Sequence, residues 1–417
     1  MDKMVINGGK VLRGEAKTSG AKNAALPILF STLLAPGKHR FTNVPRLMDI
    51  DSTSALLESL GCKVTRDGNN LDVEVGELTS IEAHYDLVRK MRASILCLGP
   101  VLTRYGQAVV SLPGGCAIGT RPIDLHLDGM KAFGAEIELK EGYVRATAKK
   151  LKGCTFLFET ATVGGTENLM MAATLAEGTT VLENVAKEPE IVDLAEYLNK
   201  MGAKITGHGT SIITIEGVKS LKPAEHRIMP DRIEAGTLLI AGAITGGDVK
   251  VTHCRPKDLE ALILKMRESG FEIETGEDWV RVLPAKSWKS VDVTTAPHPL
   301  FPTDLQAQFM ALMAVAEGTS VITETIFENR FMHVQELVRL GAEIIPKTRV
   351  AVVRGHKNGL TAAPVMATDL RASASLVLAG LVAKGETVVN RIYHLDRGYE
   401  NLEAKLVALG ADVRRAD

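Results

Sequence analysis

The order of hydrophobic and polar residues alternates along the chain between the period of a helix and the period of a strand. One stretch places its apolar residues at helical spacing, at Ile191, Leu194, Ala195, Leu198 and Met201. This pattern predicts an amphipathic helix with one buried face. The run Ile-Ile-Thr-Ile at 212–215 follows it and is typical of a short strand.

A short sequence pattern returns six times and shows that this alternation is organised as repeats. In each copy a glycine separates the end of a helical stretch from a short alternating run. The glycines lie 68 to 73 residues apart, which indicates six structural units of similar length. They are Gly61, Gly134, Gly202, Gly270, Gly341 and Gly410.

A second glycine precedes the first in every unit, at Gly37, Gly106, Gly178, Gly247, Gly318 and Gly385. It predicts a helix that ends in a glycine C-cap and is followed by a strand, so that each unit is expected to be βαβαββ. No terminal copy has the polar character of a solenoid cap, and 417 residues exceed one ordinary core. We therefore expect an α/β protein of two closed bodies with three units each, divided near Met229-Pro230-Asp231.

Composition narrows the class of protein. The 45% apolar and 24% charged content is ordinary for a globular protein. No apolar run approaches the roughly 18 to 20 residues of a spanning helix, and residues 1–7 lack a secretory pattern, so we expect a cytoplasmic protein with no membrane partner. A net charge of −1 offers no general attraction for nucleic acid. The five scattered cysteines lack CxxC spacing, which argues against a disulfide framework and a zinc site.

The first helix of every unit is expected to open with polar residues. Three of these are the acids Asp231, Asp304 and Asp369. Each could simply cap its helix or could have a functional role, and the sequence leaves both readings open. The cations are Lys22, Arg92 and Arg371. Because a cation at a helix N-terminus opposes the helix dipole, we expect an anionic partner or ligand there; the alternative is an ordinary solvated helix end. Equivalent helix ends could converge on phosphates.

The segment 112–122, Leu-Pro-Gly-Gly-Cys-Ala-Ile-Gly-Thr-Arg-Pro, interrupts the second unit between a strand and the next helix. Its glycines suit a loop that approaches a ligand closely. Cys116 could be exposed there and Arg121 could favour its thiolate, which makes Cys116 a candidate acid or nucleophile. The alternative is a tight turn with an incidental cysteine. The sequence has no phosphate-loop, dinucleotide-binding or zinc-protease motif and no paired histidines, so we expect no metal.

Five motifs together resemble one enzyme family. They are residues 22–27 (Lys-Asn-Ala-Ala-Leu-Pro), 113–126 (Pro-Gly-Gly-Cys-Ala-Ile-Gly-Thr-Arg-Pro-Ile-Asp-Leu-His), 301–304 (Phe-Pro-Thr-Asp), 327–331 (Phe-Glu-Asn-Arg-Phe) and 396–400 (Asp-Arg-Gly-Tyr-Glu). In combination they closely resemble the UDP-N-acetylglucosamine enolpyruvyl transferases, or 1-carboxyvinyltransferases, of the EPSP synthase superfamily. The resemblance covers essentially the whole chain.

The resemblance implies a two-domain inside-out α/β barrel of six βαβαββ repeats. It implies a first domain of residues 22–229 that carries the Cys116 loop. Residues 1–21 are implied to cross over and to join residues 230–417 in the second domain, with the active site in the cleft between the domains. No cofactor is implied.

The resemblance also implies a reaction. Phosphoenolpyruvate and the 3′-hydroxyl of UDP-N-acetylglucosamine combine through a tetrahedral intermediate, from which phosphate is eliminated. Cys116 is implied to protonate the enolpyruvyl carbon and to react with fosfomycin-type inhibitors, while Asp304 is implied to be the base near the attacking hydroxyl. Lys22 and Arg397 are implied as further catalytic residues.

Many donors and full charges are needed to hold a small polyanion and a diphosphate. The resemblance implies that phosphoenolpyruvate and the leaving phosphate are bound by Lys22, Arg92, Arg121, Arg330, Arg371 and Arg397. It implies that the UDP-sugar is bound by Asn23, Arg92, Arg121, Pro122, Ile123, Asp124, Leu125, His126, Thr162, Val163, Gly164, Asp304 and Ile326.

Two positions depart from the pattern of some family members, because Met48 and Thr160 stand where those members carry lysines. Glu188 and Glu190 fit the family but could also be favourable acids in the first turn of a helix. The shikimate-pathway enolpyruvyl transferase shares the fold and the chemistry, but it lacks the cysteine loop. A non-enzymatic ring such as a sliding clamp would need a repeated basic inner surface, whereas the polar residues here differ between units. An RNA-end-processing enzyme would need a histidine-based motif that is not visible.

Overall fold

A computed structural model describes residues 2–89, 91–112, 123–356 and 359–416. The strands of these residues, in chain order, are β1 (Lys3–Asn7), β2 (Arg13–Lys17), β3 (Gly37–Thr42), β4 (Lys63–Asp67), β5 (Asn70–Val75), β6 (Glu82–Ala83), β7 (Gln107–Ser111), β8 (Glu136–Lys140), β9 (Tyr143–Thr147), β10 (Thr155–Leu157), β11 (Thr179–Glu183), β12 (Lys204–Thr206), β13 (Ile212–Glu216), β14 (Glu225–Arg227), β15 (Asp248–Thr252), β16 (Ile273–Thr275), β17 (Trp279–Val282), β18 (Val293–Thr294), β19 (Thr319–Thr323), β20 (Glu343–Pro346), β21 (Val350–Arg354), β22 (Pro364–Met366), β23 (Glu386–Asn390) and β24 (Asp412–Ala416).

The α-helices are α1 (Lys22–Ser31), α2 (Met48–Ser59), α3 (Tyr85–Val88), α4 (Leu98–Tyr105), α5 (Asp124–Ala132), α6 (Val163–Ala173), α7 (Pro189–Lys200), α8 (Arg232–Ile244), α9 (Glu260–Ser269), α10 (Gln306–Met313), α11 (Val334–Arg339), α12 (Leu370–Val382) and α13 (Leu402–Ala408). Short 3-10 helices lie at Thr32–Leu34, Arg92–Cys97, Pro256–Leu259, Thr303–Leu305 and Ile392–Arg397.

Six four-stranded sheets repeat one pairing pattern. In each sheet an edge strand runs parallel to its neighbour, and the other two pairings are antiparallel. The strand orders are β14-β3-β5-β4, β6-β7-β9-β8, β10-β11-β13-β12, β2-β15-β17-β16, β18-β19-β21-β20 and β22-β23-β1-β24. The α/β class and the repeated unit predicted from the glycine spacing are confirmed.

The glycines of the first marker all have φ between 88° and 107°, a left-handed conformation that a side chain would strain. In the second marker the fourth copy differs from expectation. Gly246, with φ of 63°, takes the left-handed conformation there, whereas Gly247 does not. A Cβ atom at Gly247 would clash with the carbonyl oxygen of Leu12. Gly247 is thus required by the close approach of the chain just before β2.

The first compact unit contains residues 20–112 and 123–229. Helices α1, α4 and α6 pack together at its centre, and residues 24–31 and 165–173 are buried without interruption. A helix that is buried on all sides belongs to a core. Its first sheet is completed by β14, the last strand of the unit, which pairs in parallel with β3.

The second compact unit contains residues 2–19 and 230–416. Helices α8, α10 and α12 pack together at its centre, and every residue of α8 is buried. The N-terminal segment supplies two strands to this unit: β2 pairs with β15, and β1 lies between β23 and β24.

Within each unit the helices at the centre are buried, and the strands of the surrounding sheets alternate between buried and exposed residues, as in β5 and β21. Complete burial of one large apolar side chain contributes about 1.5–3 kcal/mol, so the apolar central helices supply much of the driving force for folding. This is the inside-out arrangement that the family resemblance implies, with helices inside and sheets outside.

Candidate active site

The polar residues singled out from the sequence lie at the N-termini of the central helices. Lys22 is the first residue of α1, Arg92 begins the 3-10 turn before α4, and Val163 begins α6. In the second unit, Asp231 and Asp369 directly precede α8 and α12. Asp304 lies in the 3-10 turn that leads into α10.

Lys22 has an anionic partner. Its Nζ lies 3.1 Å from Oδ2 of Asp49, and the two side chains are 12% and 4% exposed. Asp49 is the second residue of α2, which packs against α1. The carboxylate offsets the unfavourable position of the lysine at a helix N-terminus. Asn23, the next residue of α1, is half-buried at the same helix end.

His126 is buried beside Arg92 and Asn168. Nδ2 of Asn168 lies 3.1 Å from Nδ1 of His126 and 3.0 Å from the carbonyl oxygen of Ile95. Because the amide donates, Nδ1 accepts and the ring proton is assigned to Nε2. Burial, followed by the charge of Arg92, lowers the pKa of His126 to about 4. The imidazole is therefore neutral near pH 7.

The two stretches implied to hold the UDP-sugar meet at His126. A Cβ atom at Gly164 would lie 3.2 Å from Cε1 of His126, so the glycine lets the start of α6 approach the ring. Thr162 caps α6 by accepting from the amide of Gly165 at 3.3 Å. Ile123 is the N-cap of α5, and Asp124, Leu125 and His126 lie in the first turn of this helix. Beyond the amide that Thr162 caps, the N-terminus of α6 is a suitable place for phosphate oxygens.

Glu188 and Glu190 lie at the N-terminus of α7, where an acid is favourable. They also lie close enough to Glu167 of α6 for their negative charges to raise its pKa. Burial, then the charges of Glu190 and Glu188, raises the pKa of Glu167 well above its usual value. Glu167 was not foreseen from the sequence, because its neighbours come from another helix.

A buried charge cluster of the second unit surrounds Asp304. Its Oδ1 lies 3.0 Å from Nη2 of Arg330, and its Oδ2 lies 3.0 Å from Nη2 of Arg371. The two arginine side chains are 5% and 3% exposed, and that of Asp304 is 25% exposed. Burial opposes the charge of Arg371, but Asp304, Tyr399 and Asp231 hold its pKa above the usual value. Arg371 is thus a permanent buried cation.

The three acids that could all have been caps are distinguished by their partners. Asp231 accepts from the amides of Ile233 and Glu234, and Asp369 accepts from the amides of Arg371 and Ala372, so both cap their helices. Asp304 binds two guanidinium groups, those of Arg330 and Arg371.

A second guanidinium nitrogen of Arg371, Nη1, is also buried. It makes no hydrogen bond of normal geometry with the residues that the structure describes, although the nearby Tyr399 hydroxyl helps to raise the pKa of Arg371. A buried donor without a partner is costly, so this nitrogen is suited to receive an oxygen atom of a bound anion.

Arg397 is half-buried at the end of the 3-10 helix Ile392–Arg397. Its neighbour Asp396 is held by Arg415 of β24, with Nη1 at 3.0 Å from Oδ2. The same guanidinium donates to Glu403 at 2.6 Å. We call this set of contacts the Arg415 clamp; it fixes the backbone beside Arg397. The amide of Ile326 donates to Oε1 of Glu324 at 2.8 Å, and Oε2 of the same carboxylate accepts from the hydroxyl of Thr303, the residue before Asp304, at 2.8 Å.

Cys116, Arg121 and Pro122 lie outside the described residues. Of the cysteines that are described, Cys62, Cys97 and Cys254 are buried. Burial raises the pKa of these thiols to about 11, 12 and 11, respectively. Because the thiolate is the reactive form, we expect these three cysteines to be unreactive near pH 7.

Met48 and Thr160, which depart from the pattern of some relatives, are both exposed. Within residues 2–89, 91–112, 123–356 and 359–416, no group of three potential metal ligands is found. No helix in that part of the chain is long and apolar enough to cross a membrane.

Comparison with known proteins finds similarity over the full length. The family model described as EPSP synthase (3-phosphoshikimate 1-carboxyvinyltransferase) matches residues 6–406. A UDP-N-acetylglucosamine 1-carboxyvinyltransferase of Bdellovibrio bacteriovorus is 74% identical over 414 residues, which is 99% of this chain and 100% of that protein. One of Myxococcus xanthus is 61% identical over 418 residues, covering 100% and 99% of the two chains.

Solved structures agree with these sequence matches. The enolpyruvyl transferase NikO of Streptomyces tendae superposes with a TM-score of 0.89 at 27% identity, covering 100% of this chain and 99% of that one. An EPSP synthase of Acinetobacter baumannii gives a TM-score of 0.77 at 17% identity and covers both chains fully, which shows a shared fold.

Proposed function

We propose that this chain, which belongs to the EPSP synthase (3-phosphoshikimate 1-carboxyvinyltransferase) family, is a UDP-N-acetylglucosamine enolpyruvyl transferase. It transfers the enolpyruvyl group of phosphoenolpyruvate to the 3′-hydroxyl of UDP-N-acetylglucosamine and releases phosphate, the first committed step of peptidoglycan synthesis. Full-length relatives, one of them 74% identical, carry this activity in their names. Both substrates are anions that a bilayer excludes, which supports a cytoplasmic location.

One observation carries the assignment of chemistry to the site. Asp304 lies in the turn that leads into the central helix α10, with two buried guanidinium groups at 3.0 Å. Two buried arginines beside one acid form a centre that can bind an anion and orient a carboxylate. Structural capping alone does not require them.

In the proposed addition step, Asp304 accepts the proton of the 3′-hydroxyl while the hydroxyl oxygen bonds to C2 of phosphoenolpyruvate. Cys116 delivers a proton to C3 in the same step. In the elimination step, the Cys116 thiolate takes a proton back from C3 and the bond from C2 to the phosphate oxygen breaks, which restores the double bond. The phosphate leaves with the proton that Asp304 had accepted, so both residues return to their starting states. General acid and base groups of this kind contribute about 10²–10⁴-fold each.

We assign the binding of phosphoenolpyruvate and of the leaving phosphate to the cations that the family resemblance implies, namely Lys22, Arg92, Arg121, Arg330, Arg371 and Arg397. Two observations support this assignment: Arg371 is a permanent cation, and its buried Nη1 makes no hydrogen bond of normal geometry with the described residues. Preorganised charges of this kind stabilise the charge that develops on the leaving group.

We assign the UDP-sugar to Asn23, to residues 121–126, to residues 162–164, to Asp304 and to Ile326. The contact between Gly164 and His126 supports a single nucleotide site formed by the two stretches. The neutral state of His126 avoids an added buried charge there. We further propose that fosfomycin-type epoxides react at Cys116.

Phosphate release tests the proposal directly. The purified protein is incubated with phosphoenolpyruvate and either UDP-N-acetylglucosamine or shikimate 3-phosphate, and the product is identified by mass spectrometry. We expect stoichiometric phosphate and a carboxyvinyl ether only with the UDP-sugar. Release with shikimate 3-phosphate alone, or with neither acceptor, would overturn the assignment.

A further inference from the structure

A chain of buried hydrogen bonds runs beneath Asp304 and joins elements at the centre of the second unit. Its members are Thr237 of α8, Gln308 of α10 and Tyr399, which follows the 3-10 helix Ile392–Arg397. All three side chains are buried. Nε2 of Gln308 lies 2.9 Å from the carbonyl oxygen of Asp304, 3.0 Å from the Tyr399 hydroxyl and 3.2 Å from the Thr237 hydroxyl.

The direction of each hydrogen bond follows from the number of available protons. The Thr237 hydroxyl donates its single proton to the carbonyl oxygen of Ile233 at 2.8 Å. The Tyr399 hydroxyl, 2.9 Å from Thr237, must therefore be the donor in that contact. Burial raises the pKa of Tyr399, so the phenol keeps the proton that it donates.

The amide of Gln308 then uses both of its protons, one toward the Tyr399 oxygen and one toward the carbonyl oxygen of Asp304. The opposite orientation of the amide would place two oxygen atoms against each other at Asp304. Its own Oε1 has no partner among the described residues. Gln308 is thus oriented for donation to Asp304, at the cost of one unsatisfied acceptor.

Tyr399 also faces Arg371. The guanidinium carbon lies 5.4 Å from the centre of the tyrosine ring, within the range of a cation–π contact. The same guanidinium donates to Oδ2 of Asp304 at 3.0 Å. The buried chain therefore contacts the backbone of Asp304 through Gln308 and the guanidinium plane of Arg371 through Tyr399.

We propose that Gln308 and Tyr399 are positioning residues for the enolpyruvyl transfer. Gln308 fixes the backbone of Asp304, and the Tyr399 ring fixes the plane of Arg371, without contact to either substrate. The inference rests on the proposed function, since it concerns the alignment of Asp304 for that reaction. A displacement of about 1 Å at a reacting group can lower turnover about 10²-fold.

The chain offers a matched control on the same helix. Gln306 is also a fully buried glutamine of α10, but neither amide atom has a hydrogen-bond partner among the described residues. Gln308→Met should lower kcat about 10–100-fold while the KM for UDP-N-acetylglucosamine changes less than about twofold. Gln306→Met, which removes an unsatisfied amide, should leave kcat within about twofold of the wild type.

Two further substitutions separate positioning from general loss of structure. In Tyr399→Phe the ring remains and the freed amide proton of Gln308 can turn to Thr237 at 3.2 Å, so kcat should fall less than about fivefold. In Tyr399→Leu the ring beneath Arg371 is lost, and the KM for phosphoenolpyruvate should rise about tenfold.

Gln308→Glu gives a pH signature that a purely structural role would not give. A carboxyl group at this position can donate to Asp304 only while it is protonated. The kcat of this variant should therefore approach that of the wild type at the acidic end and fall about tenfold per pH unit above the pKa of the introduced carboxyl group. Circular dichroism at each pH verifies that the protein stays folded.

The possible outcomes distinguish a failure of the proposed function from a failure of the positioning role. A wild-type protein that releases no phosphate refutes the proposed function itself. An active wild type with normal kcat in Gln308→Met, or with a Gln308→Glu profile parallel to that of the wild type, overturns the positioning role. Should Gln308→Met fail to fold, the pH profile of Gln308→Glu and the KM of Tyr399→Leu decide.

Discussion

Asp304→Asn removes one negative charge at nearly constant size, so it separates charge from shape at the proposed centre. In the folded protein the carboxylate lies 3.0 Å from each of two guanidinium groups whose side chains are 5% and 3% exposed. An asparagine can accept a hydrogen bond from one of them but cannot compensate their charge. Arg330 and Arg371 would then lie side by side in the interior without their anion.

The expected loss of stability follows from this burial. Removing one partner of a buried ion pair costs about 3–5 kcal/mol. Because the carboxylate is itself 25% exposed, solvent screens part of the effect and we expect a loss of about 2–3 kcal/mol. Turnover should fall by about 10²-fold or more if Asp304 is the base.

Urea unfolding followed by circular dichroism gives the first quantity, and phosphate release from phosphoenolpyruvate gives the second. Asp369→Asn is the control for stability, since Asp369 caps α12 through the amides of Arg371 and Ala372. Asparagine caps a helix about as well as aspartate. The unfolding free energy of the control should therefore change by only a few tenths of a kcal/mol, about the precision of the method.

Each possible result bears on a different part of the reasoning. Near-normal turnover of Asp304→Asn would show that the acid is not the base, whatever its effect on stability. An unfolding free energy within about 0.5 kcal/mol of the wild type would show that the two guanidinium groups do not depend on the carboxylate.

Three other perturbations test separate parts of the structure. Burial lowers the pKa of His126 and of His333 to about 4. Because both rings are buried in the neutral form, the free energy of unfolding is highest above pH 6.5 and decreases as the pH falls toward 4. Urea unfolding at pH 7.5 and pH 5 should differ by about 2 kcal/mol per histidine, and an equal difference in a variant with both replaced by glutamine would contradict this. Arg415→Gln breaks the Arg415 clamp and should raise the KM for phosphoenolpyruvate about tenfold. The control Arg414→Gln loses only one exposed ion pair and should leave this KM unchanged. Equal KM values of the two variants in steady-state kinetics would refute a role of the clamp. Fosfomycin should alkylate Cys116 and not the buried cysteines, whose pKa values burial raises, and peptide mapping that finds the label on a buried cysteine would disprove this.

The candidate site could be predicted from the sequence only in part. Lys22, Arg92 and Asp304 stand out because they occupy corresponding places in a repeat, at the start of a helix. Their partners do not stand out. Asp49 lies on the next helix of its unit, while the contacts of Asp304 come from positions 26 and 67 residues further along the chain. Such pairs are created by packing and leave no local pattern.

For the same reason, the sequence does not show which of the three acids act only as helix caps. Asp231, Asp304 and Asp369 occupy equivalent positions, and a cap is sufficient reason for an aspartate at each of them. Only the approach of two buried arginines to Asp304 distinguishes it. Gln308 and Tyr399 are a further case, because their role depends on hydrogen bonds between elements that are distant in the sequence.

The order of residues by itself determined the number, length and type of the repeated units. Helix and strand periods, and the glycines with positive φ that separate them, arise from interactions within a few residues and can be read locally. The tertiary structure alone decided which strands pair across the chain. Strand β1 lies between β23 and β24, and β14 pairs with β3, although the short sequences of these strands do not indicate which strand each will pair with. Backbone hydrogen bonds between strands are the same for every sequence, so pairing is chosen by the burial of side chains from the whole unit.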